Sequence, residues 1–268
     1  MRKLGICVHP AQGETLESFF NMIKEAGFEA AFVGYETPES TRQRCKDTLN
    51  HGLEIDNIHA PFANINAMWL EGPQGEEMLE SLKDTVSCCK EFHIPKAIVH
   101  LSSKANAPYI NDLGHKRFDS LVEYAVANNV QIAFENQRKL ANLAFAMEIY
   151  KDVPQVGFCW DTGHEYCFTP GWEFMPLFGD RLIAIHLQDN HAVYDGDQHL
   201  LPFDGVIDFK KAARYIKNSP YQGPIMLEVF RRPFDVTGYA GYEGIKPEEY
   251  YQRAAQAAER IRKLVDDE

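Results

Sequence analysis

The stretch Val156-Gly157-Phe158-Cys159-Trp160-Asp161 is a short apolar run that ends in a carboxylate. The same design recurs along the chain, and nearly every run ends in a residue that can bind a metal ion or transfer a proton. The runs are Leu4–His9, Ala30–Tyr35, Glu54–His59, Ala97–His100, Gln131–Glu135, Val156–Asp161, Leu182–His186 and Pro224–Glu228. Apolar strands that all finish in polar residues are typical of a parallel barrel with a polar site at its carboxyl-end rim.

The segments between these runs have helical periodicity, with apolar residues at steps of three and four. They are Thr15–Phe28, Met78–Phe92, Phe118–Ala127, Leu140–Tyr150, Phe209–Ile216 and Pro247–Val265. The strand runs are continuously apolar, as expected of parallel strands covered on both faces. No Gly-x-Gly-x-x-Gly follows the first strand, so we expect no nucleotide cofactor. Only a closed barrel brings all the strand ends to one point, so we predict an α/β fold, a single (β/α)8 TIM barrel.

The composition limits the classes of partner. The chain has 268 residues and a formal charge of −12, and a barrel of this kind typically takes about 250 residues, so we expect one domain over residues 1–268. The negative charge argues against a nucleic-acid partner, because affinity for nucleic acid comes largely from neutralised phosphates. None of the six cysteines forms a Cys-x-x-Cys, which favours reduced thiols in the cytoplasm. No apolar stretch is long enough to span a membrane. A homo-oligomer is compatible with these features.

Four of the strand-end residues form a candidate metal site. Glu135 and Glu228 each follow an apolar strand directly, and a buried carboxylate without a partner is costly. No basic residue ends another strand, so a shared cation would satisfy both glutamates, whereas each residue alone could be a satisfied structural group. Asp161 and His186 complete an oxygen-rich set with one nitrogen. We therefore expect one divalent ion, with Mn²⁺ the first choice and Mg²⁺, Co²⁺ or Zn²⁺ as alternatives.

Further polar residues surround this set: His59, His100, His164, Asp197 and His199. Each is either an additional ligand, a contact to substrate, or a hydrogen-bonded group that orients a ligand.

Two long rim loops carry tryptophans. Trp69 lies in Phe62–Gly75, and Trp172 lies in Cys167–Gly179. These side chains either line a substrate pocket or pack their loops onto the rim.

Several phrases of the chain resemble the xylose-isomerase-like TIM barrels, a superfamily of sugar and sugar-phosphate isomerases and epimerases that also includes the endonuclease IV family of apurinic-site repair enzymes. The phrases span nearly the whole chain and are His59-Ala60-Pro61-Phe62, Phe134-Glu135-Asn136, Trp160-Asp161-Thr162-Gly163-His164, His186-Leu187-Gln188-Asp189-Asn190, and His199-Leu200-Leu201-Pro202 through Gly205-Val206-Ile207-Asp208-Phe209.

The resemblance implies two different ligand sets. In the isomerase and epimerase branch, one divalent metal is held at the positions of Glu135, Asp161, His186 and Glu228, and His164 contacts a substrate oxygen. In the endonuclease branch, three zinc ions occupy nine positions, and all nine residue types are present here: His59, His100, Glu135, Asp161, His164, His186, Asp197, His199 and Glu228. The ligand types alone therefore leave both branches open.

We favour a metal-dependent isomerase or epimerase that acts on a ketose or ketose phosphate through a metal-stabilised enediolate. Glu135 and Glu228 are the expected proton-transfer pair, since a metal-bound substrate can lie between them. The expected substrate contacts are His164, His59, His100, Trp69 and Trp172. A zinc-dependent apurinic-site DNA endonuclease is the alternative, and a non-catalytic carbohydrate-binding barrel is the third hypothesis.

Overall fold

The computed structural model describes residues 1–232 and 241–267. Its strands are β1 (Leu4–Cys7), β2 (Ala30–Gly34), β3 (Glu54–His59), β4 (Lys96–His100), β5 (Gln131–Glu135), β6 (Val156–Asp161), β7 (Leu182–His186) and β8 (Ile225–Leu227). The strands pair in parallel in the order β8-β1-β2-β3-β4-β5-β6-β7. Each coincides closely with one of the apolar runs, so the predicted strand order is confirmed.

The sheet closes between β7 and β8. The backbone N–H of Leu187 donates to the carbonyl of Met226 at 2.9 Å, and the N–H of Glu228 donates to the carbonyl of Leu187 at 3.0 Å. These two bonds join the first and last strands of the sheet through a single parallel bridge. The chain is therefore a (β/α)8 TIM barrel, as predicted from the convergence of the strand ends.

Helices cover the outside of this barrel. They are α1 (Leu16–Ala26), α2 (Pro38–Asn50), α3 (Pro73–Glu91), α4 (Asp112–Ala127), α5 (Leu140–Ile149), α6 (Thr162–Phe168), α7 (Met175–Phe178), α8 (Phe209–Lys217) and α9 (Pro247–Asp267), with short 3₁₀ turns at Ile65–Trp69 and Gly179–Arg181. Helix α1 begins after Thr15, which accepts a bond from the N–H of Ser18, and ends at Gly27 in the left-handed conformation. These are the start and stop signals expected from the sequence.

The alternation of side chains along each strand determines what enters the barrel. In β4 to β7 the inward residues below the rim are Ile98, Ala133, Cys159 and Ala184, which form one small buried cluster. At the opposite end of the barrel, Lys96 donates to Asp56 at 2.8 Å, and both side chains are buried. Because alternation continues along each strand, the last inward residue of β4 to β7 lies at the carboxyl-end rim.

No helix in the part of the chain that the structure describes is long and apolar enough to cross a membrane.

Candidate metal centre

Six strands deliver a ligand-type side chain to one end of the barrel. His59, His100, Glu135, Asp161 and His186 are the last residues of β3 to β7, and Glu228 follows β8 directly. All six are buried, and none is more than 9% exposed. A parallel barrel places the carboxyl ends of its strands in one ring, so residues distant in sequence become neighbours here.

The inner ligand group consists of Glu135, Asp161, His186 and Glu228, whose ligand atoms all lie within 4.8 Å of one another. The Nδ1 atom of His186 is 2.9 Å from Oε1 of Glu135 and 3.0 Å from Oε2 of Glu228. The two glutamates therefore approach the same imidazole nitrogen from strands β5 and β8. The sequence prediction that these four residues meet agrees with this arrangement.

The electrostatics of the inner ligand group require positive charge. Burial raises the pKa of Asp161 to about 7, and the carboxylates of Glu228 and Glu135 act in the same direction. Burial also opposes the charged forms of His186 and Glu228, but attraction between opposite charges outweighs it: His186 is attracted to Glu228 and Glu135, and Glu228 to His186 and His199. That attraction raises the pKa of His186 to about 10 and lowers the pKa of Glu228 to about 2. Three buried carboxylates thus need either an imidazolium proton or a metal cation as their counter-charge.

The donor set fits a divalent metal ion. The Oδ2 atom of Asp161 is buried and has no hydrogen-bond partner among the described residues. Buried polar atoms are normally satisfied, so such atoms in a ligand cluster indicate a group that completes the site. Over residues 1–232 and 241–266, no lysine or arginine forms an ion pair with the three carboxylates. Three carboxylates and one imidazole suit Mn²⁺, Zn²⁺ or a similar ion.

Glu135 also belongs to a second cluster, with His59 and His100. Its Oε1 atom faces His186, whereas its Oε2 atom contacts the Nε2 atoms of His59 and His100. The Nδ1 atom of His59 lies 2.9 Å from the carbonyl oxygen of Ala60, to which it donates in the tautomer that leaves Nε2 free to bind. Glu135 is therefore placed as a bridge between the inner ligand group and the two histidines.

The outer ligand group consists of His164, Asp197 and His199. The Nε2 atoms of both histidines lie 3.2 Å from Oδ2 of Asp197. The Nδ1 atom of His199 lies 3.0 Å from the carbonyl oxygen of Glu228, which orients the imidazole. Asp197 has a side chain that is 25% exposed, so this group lies nearer to solvent than the inner one.

The loop after β7 carries Asp197 and His199, and a single buried aspartate holds it. Each carboxylate oxygen of Asp189 accepts two backbone N–H bonds, at 2.9–3.0 Å. Oδ1 accepts from Asn190 and Ile207, and Oδ2 accepts from Phe203 and Gly205. Asp189 has no exposed surface. The Asp189 carboxylate thereby holds both ends of the segment 190–207, which carries Asp197 and His199 of the outer ligand group.

Gln188 connects the two ligand groups. Its Nε2 atom donates to Oδ1 of Asp197 at 2.7 Å and lies 3.4 Å from Oδ1 of Asp161. Its Oε1 atom accepts from the backbone N–H of His199 at 3.1 Å. The amide packs on Gly163, where a Cβ would lie 2.1 Å from its carbonyl carbon. Gln188 is fully buried, and it positions a ligand of the outer group from beside the inner group.

Comparison with known proteins was consistent with this geometry. A family model described as a xylose isomerase-like TIM barrel matches residues 20–264. The chain belongs to this family. The uncharacterized protein y4fM of Sinorhizobium fredii is 30% identical over 206 residues, which cover 72% of this chain and 62% of that protein. The match thus spans less than two thirds of that relative.

Two other members of the comparison differ in described function. A probable endonuclease 4 of Mycoplasma capricolum subsp. capricolum is 26% identical over 208 residues, covering 64% of this chain and 71% of that protein. The crystal structure of a D-tagatose 3-epimerase-like protein superposes with a TM-score of 0.73 at 20% identity and covers 99% of this chain and 98% of that one. At this identity the structural likeness establishes the fold of the xylose isomerase-like barrel and nothing finer.

The two tryptophans take different positions in this xylose isomerase-like barrel. Trp69 is 2% exposed, donates to the carbonyl of Leu101 at 2.7 Å and packs against Phe118. It therefore packs its loop onto the barrel, and the expectation that it contacts substrate is corrected. Trp172 is 60% exposed and lines a cavity whose described lining contains no member of either ligand group. We therefore do not place it at the metal centre either.

The aromatic side chains at the mouth of this barrel are different ones. Phe62 is 49% exposed, and its ring centroid lies 4.8 Å from that of His100 and 5.4 Å from that of His59. Phe168 stacks on His164 at 4.7 Å. Phe62 stands in the phrase His59-Ala60-Pro61-Phe62, directly beyond a ligand strand, and that position is the signal by which the sequence could have identified it.

Proposed function

We propose that this protein is a divalent-metal-dependent sugar or sugar-phosphate isomerase or epimerase that acts on a ketose. The observation that carries the proposal is the placement of Glu135 and Glu228 at one buried imidazole, 2.9 and 3.0 Å from its Nδ1 atom. Two carboxylates that approach one point from different strands can act on two sides of a bound substrate. The likeness to a D-tagatose 3-epimerase-like protein supports the same reaction class.

The inner ligand group would hold the ion. When bound, the ion supplies positive charge beside the substrate oxygens, which acidifies the adjacent carbon-bound hydrogen. Glu228 has a side chain that is 11% exposed, whereas that of Glu135 has no exposure. Glu228 is therefore the carboxylate that substrate reaches from the mouth, and it removes the proton. For epimerisation, Glu135 would start the step as the carboxylic acid and donate its proton from the other face, after which exchange with solvent would reset both glutamates. For isomerisation, Glu228 would instead return the proton that it removed to the adjacent carbon.

The histidines and Phe62 shape the rest of the binding region. His59 and His100 lie under the Phe62 ring, so an apolar face of a sugar can pack there while its hydroxyl groups reach the imidazoles. His164 belongs to the outer ligand group, but its Nδ1 atom lies 3.9 Å from both Glu135 Oε1 and Asp161 Oδ1 of the inner group, and it is the expected contact to a substrate oxygen. We place the reaction in the cytoplasm, in keeping with six buried free cysteines.

Solvent isotope exchange tests this proposal. A panel of ketoses, free and phosphorylated, is incubated with Mn²⁺-loaded protein in deuterated water, and the products are analysed by ¹H NMR. We expect deuterium at the carbon next to the carbonyl group. Glu228→Gln and Glu135→Gln should each lower turnover by about 10²-fold or more, because an amide can neither accept the proton as Glu228 does nor donate one as Glu135 does.

Glu80→Gln provides the matched control, since Glu80 is an exposed carboxylate on α3 with a side chain that is 74% exposed. It should convert the ketose at the wild-type rate. Conversion of a ketose without any solvent deuterium in the product would indicate hydride transfer and would refute the roles given to the glutamates.

An apurinic-site DNA endonuclease is the second candidate, and one observation favours it. Besides the inner ligand group, the described residues include two further clusters of ligand-type side chains: His59 and His100 with Glu135, and the outer ligand group, which shares no residue with the inner one. The barrel therefore has residues for more than one ion, as the resemblance to the endonuclease branch implies. The relative from Mycoplasma capricolum supports the same alternative.

The charges around the barrel mouth argue against that candidate. Arginines that follow β5 and β8 are paired with carboxylates in the described part of the chain: Arg138 with Asp195, Arg231 with Glu14 and Arg232 with Glu243. Paired arginines neutralise few phosphates, and phosphate neutralisation supplies most of the affinity for DNA. We expect no incision of duplex DNA that carries an abasic site at physiological salt. Robust incision together with three tightly held zinc ions per chain would establish the second candidate.

A further inference from the structure

The cavity that Trp172 lines has a volume of about 330 Å³ and lies outside the barrel, between α8 and the segment formed by α6 and the loop after it. Trp160 lines this cavity and shows that it is outside the barrel, because side chains alternate along β6 and that of the next residue, Asp161, points inward. The Trp160 ring lies 6.1 Å from that of Tyr215 on α8. The described lining residues include no member of either ligand group. A cavity of this size accommodates a small organic molecule.

Aromatic rings supply much of the lining. Tyr166 comes from α6, Trp172 from the loop after it and Tyr215 from α8. Lys211 lies with its ammonium nitrogen 5.7 Å from the centroid of the Tyr215 ring, so this wall already receives one cation. Faces of aromatic rings carry partial negative charge and attract cations.

A buried carboxylate lines the same cavity. Glu165 is 5% exposed, and its Oε2 atom accepts bonds from the indole N–H of Trp160 at 3.0 Å and the backbone N–H of Phe174 at 2.9 Å. Its Oε1 atom receives no hydrogen bond from the described residues. The two hydrogen bonds stabilise this carboxylate without neutralising it, so a cation in the cavity would gain free energy by pairing with it.

The basic side chain in the described lining, Lys211, already has a carboxylate partner in the same lining. Lys211 pairs with Glu173, which also accepts a bond from the hydroxyl of Tyr215. Over residues 1–232 and 241–266, no lysine or arginine forms an ion pair with Glu165. The described lining therefore has three carboxylates, Glu165, Glu173 and Asp208, against one lysine, and its net charge is negative.

We propose that this cavity binds a small organic cation, an ammonium compound whose charged nitrogen pairs with Glu165 and whose substituents pack on Trp172, Tyr166 and Tyr215. The site is separate from the metal centre and does not depend on the proposed function. An anionic ligand is disfavoured by Glu165 and by Asp208, which lines the same cavity.

Choline and its neutral isostere 3,3-dimethylbutan-1-ol provide the test, because they share shape and differ in charge. Isothermal titration and saturation-transfer NMR should show that choline binds at least about tenfold more tightly, the difference that pairing with a buried charge supplies. Glu165→Gln should weaken choline binding by about tenfold or more, since glutamine keeps an oxygen for Trp160 and Phe174 but removes the charge. Trp172→Ala should also weaken it, and Glu80→Gln should not.

Each outcome decides the proposal. Equal binding of choline and the neutral alcohol, or unchanged binding in both Glu165→Gln and Trp172→Ala, would overturn it. Trp172 is largely exposed, so its variant remains informative if Glu165→Gln fails to fold. Zinc-loaded and chelator-treated protein should bind choline with the same affinity, and a loss of binding on zinc loading would place choline at the metal centre instead.

Discussion

Asp189→Asn tests how the loop after β7 is held, and with it the position of the outer ligand group. The wild-type carboxylate accepts four backbone N–H bonds in a fully buried site. Asparagine has the same shape but only one side-chain oxygen. Two of the four bonds can therefore remain, whereas the other two N–H groups would face an amide NH₂ group, which cannot accept a hydrogen bond.

The magnitude follows from that count. A buried donor left without its acceptor costs about 1–3 kcal/mol, so two such donors should lower the free energy of unfolding by about 2–6 kcal/mol. Domains are typically stable by only about 5–15 kcal/mol, so the loss should be large in a urea titration followed by circular dichroism. Because the loop carries Asp197 and His199, zinc bound at the outer ligand group should fall as well.

Asp208→Asn is the matched control. Asp208 also accepts two backbone N–H bonds, from Lys210 and Lys211, but it is exposed and both bonds go to one oxygen. Asparagine is as good a residue as aspartate at the start of a helix, so this variant should unfold like wild type. If Asp189→Asn also unfolds within about 0.5 kcal/mol of wild type, well below the cost of one orphaned donor, the carboxylate does not hold the loop and the reasoning is refuted.

Three further predictions concern positioning, pH and packing. Gln188→Met should weaken zinc binding at the outer ligand group by about 10- to 100-fold, measured by competition with a chromophoric chelator, and should leave the inner group nearly unchanged. A hydrogen bond from Arg42 lowers the pKa of Asp84, so the contribution of Asp84 to stability is present above its unfolded pKa and is lost as pH falls through the lower folded value. Urea titrations should thus show Asp84→Asn less stable than wild type at pH 7, with a smaller difference at pH 3. Gly114→Ala would place a Cβ 1.9 Å from the Trp69 ring and should lower the thermal midpoint through a loss of about 1–3 kcal/mol.

The strands and the inner ligand group could be predicted from the same signal, an apolar run that ends in a polar residue. Asp161 and Glu135 each end an apolar run, and a parallel barrel converts that position in sequence into a position in space. Helix α2 was not predicted, because the residues that it buries are Thr41, Cys45 and Thr48 and these give no apolar periodicity.

Side-chain direction was the part that the sequence left open. Trp69 and Phe62 lie in one loop and both are aromatic, yet only Phe62 stands over the histidines. The difference depends on Gly114 of α4, where the absence of a side chain admits the indole ring. Gln188 was overlooked for a similar reason, because a buried amide acquires a role only through the distant residues that it contacts.

The metal centre lies at the point where the barrel closes, so metal binding should also stabilise the closure. His186 ends β7 and Glu228 follows β8, so the two ligands lie on opposite sides of the closure, where the described residues form two backbone hydrogen bonds. An ion bound by both residues would link β7 to β8 and so strengthen the closure of the barrel. Hydrogen–deuterium exchange at the amides of Leu187 and Glu228 should then slow when metal is added, whereas exchange within the β1–β2 pair, which carries no member of either ligand group, should not change.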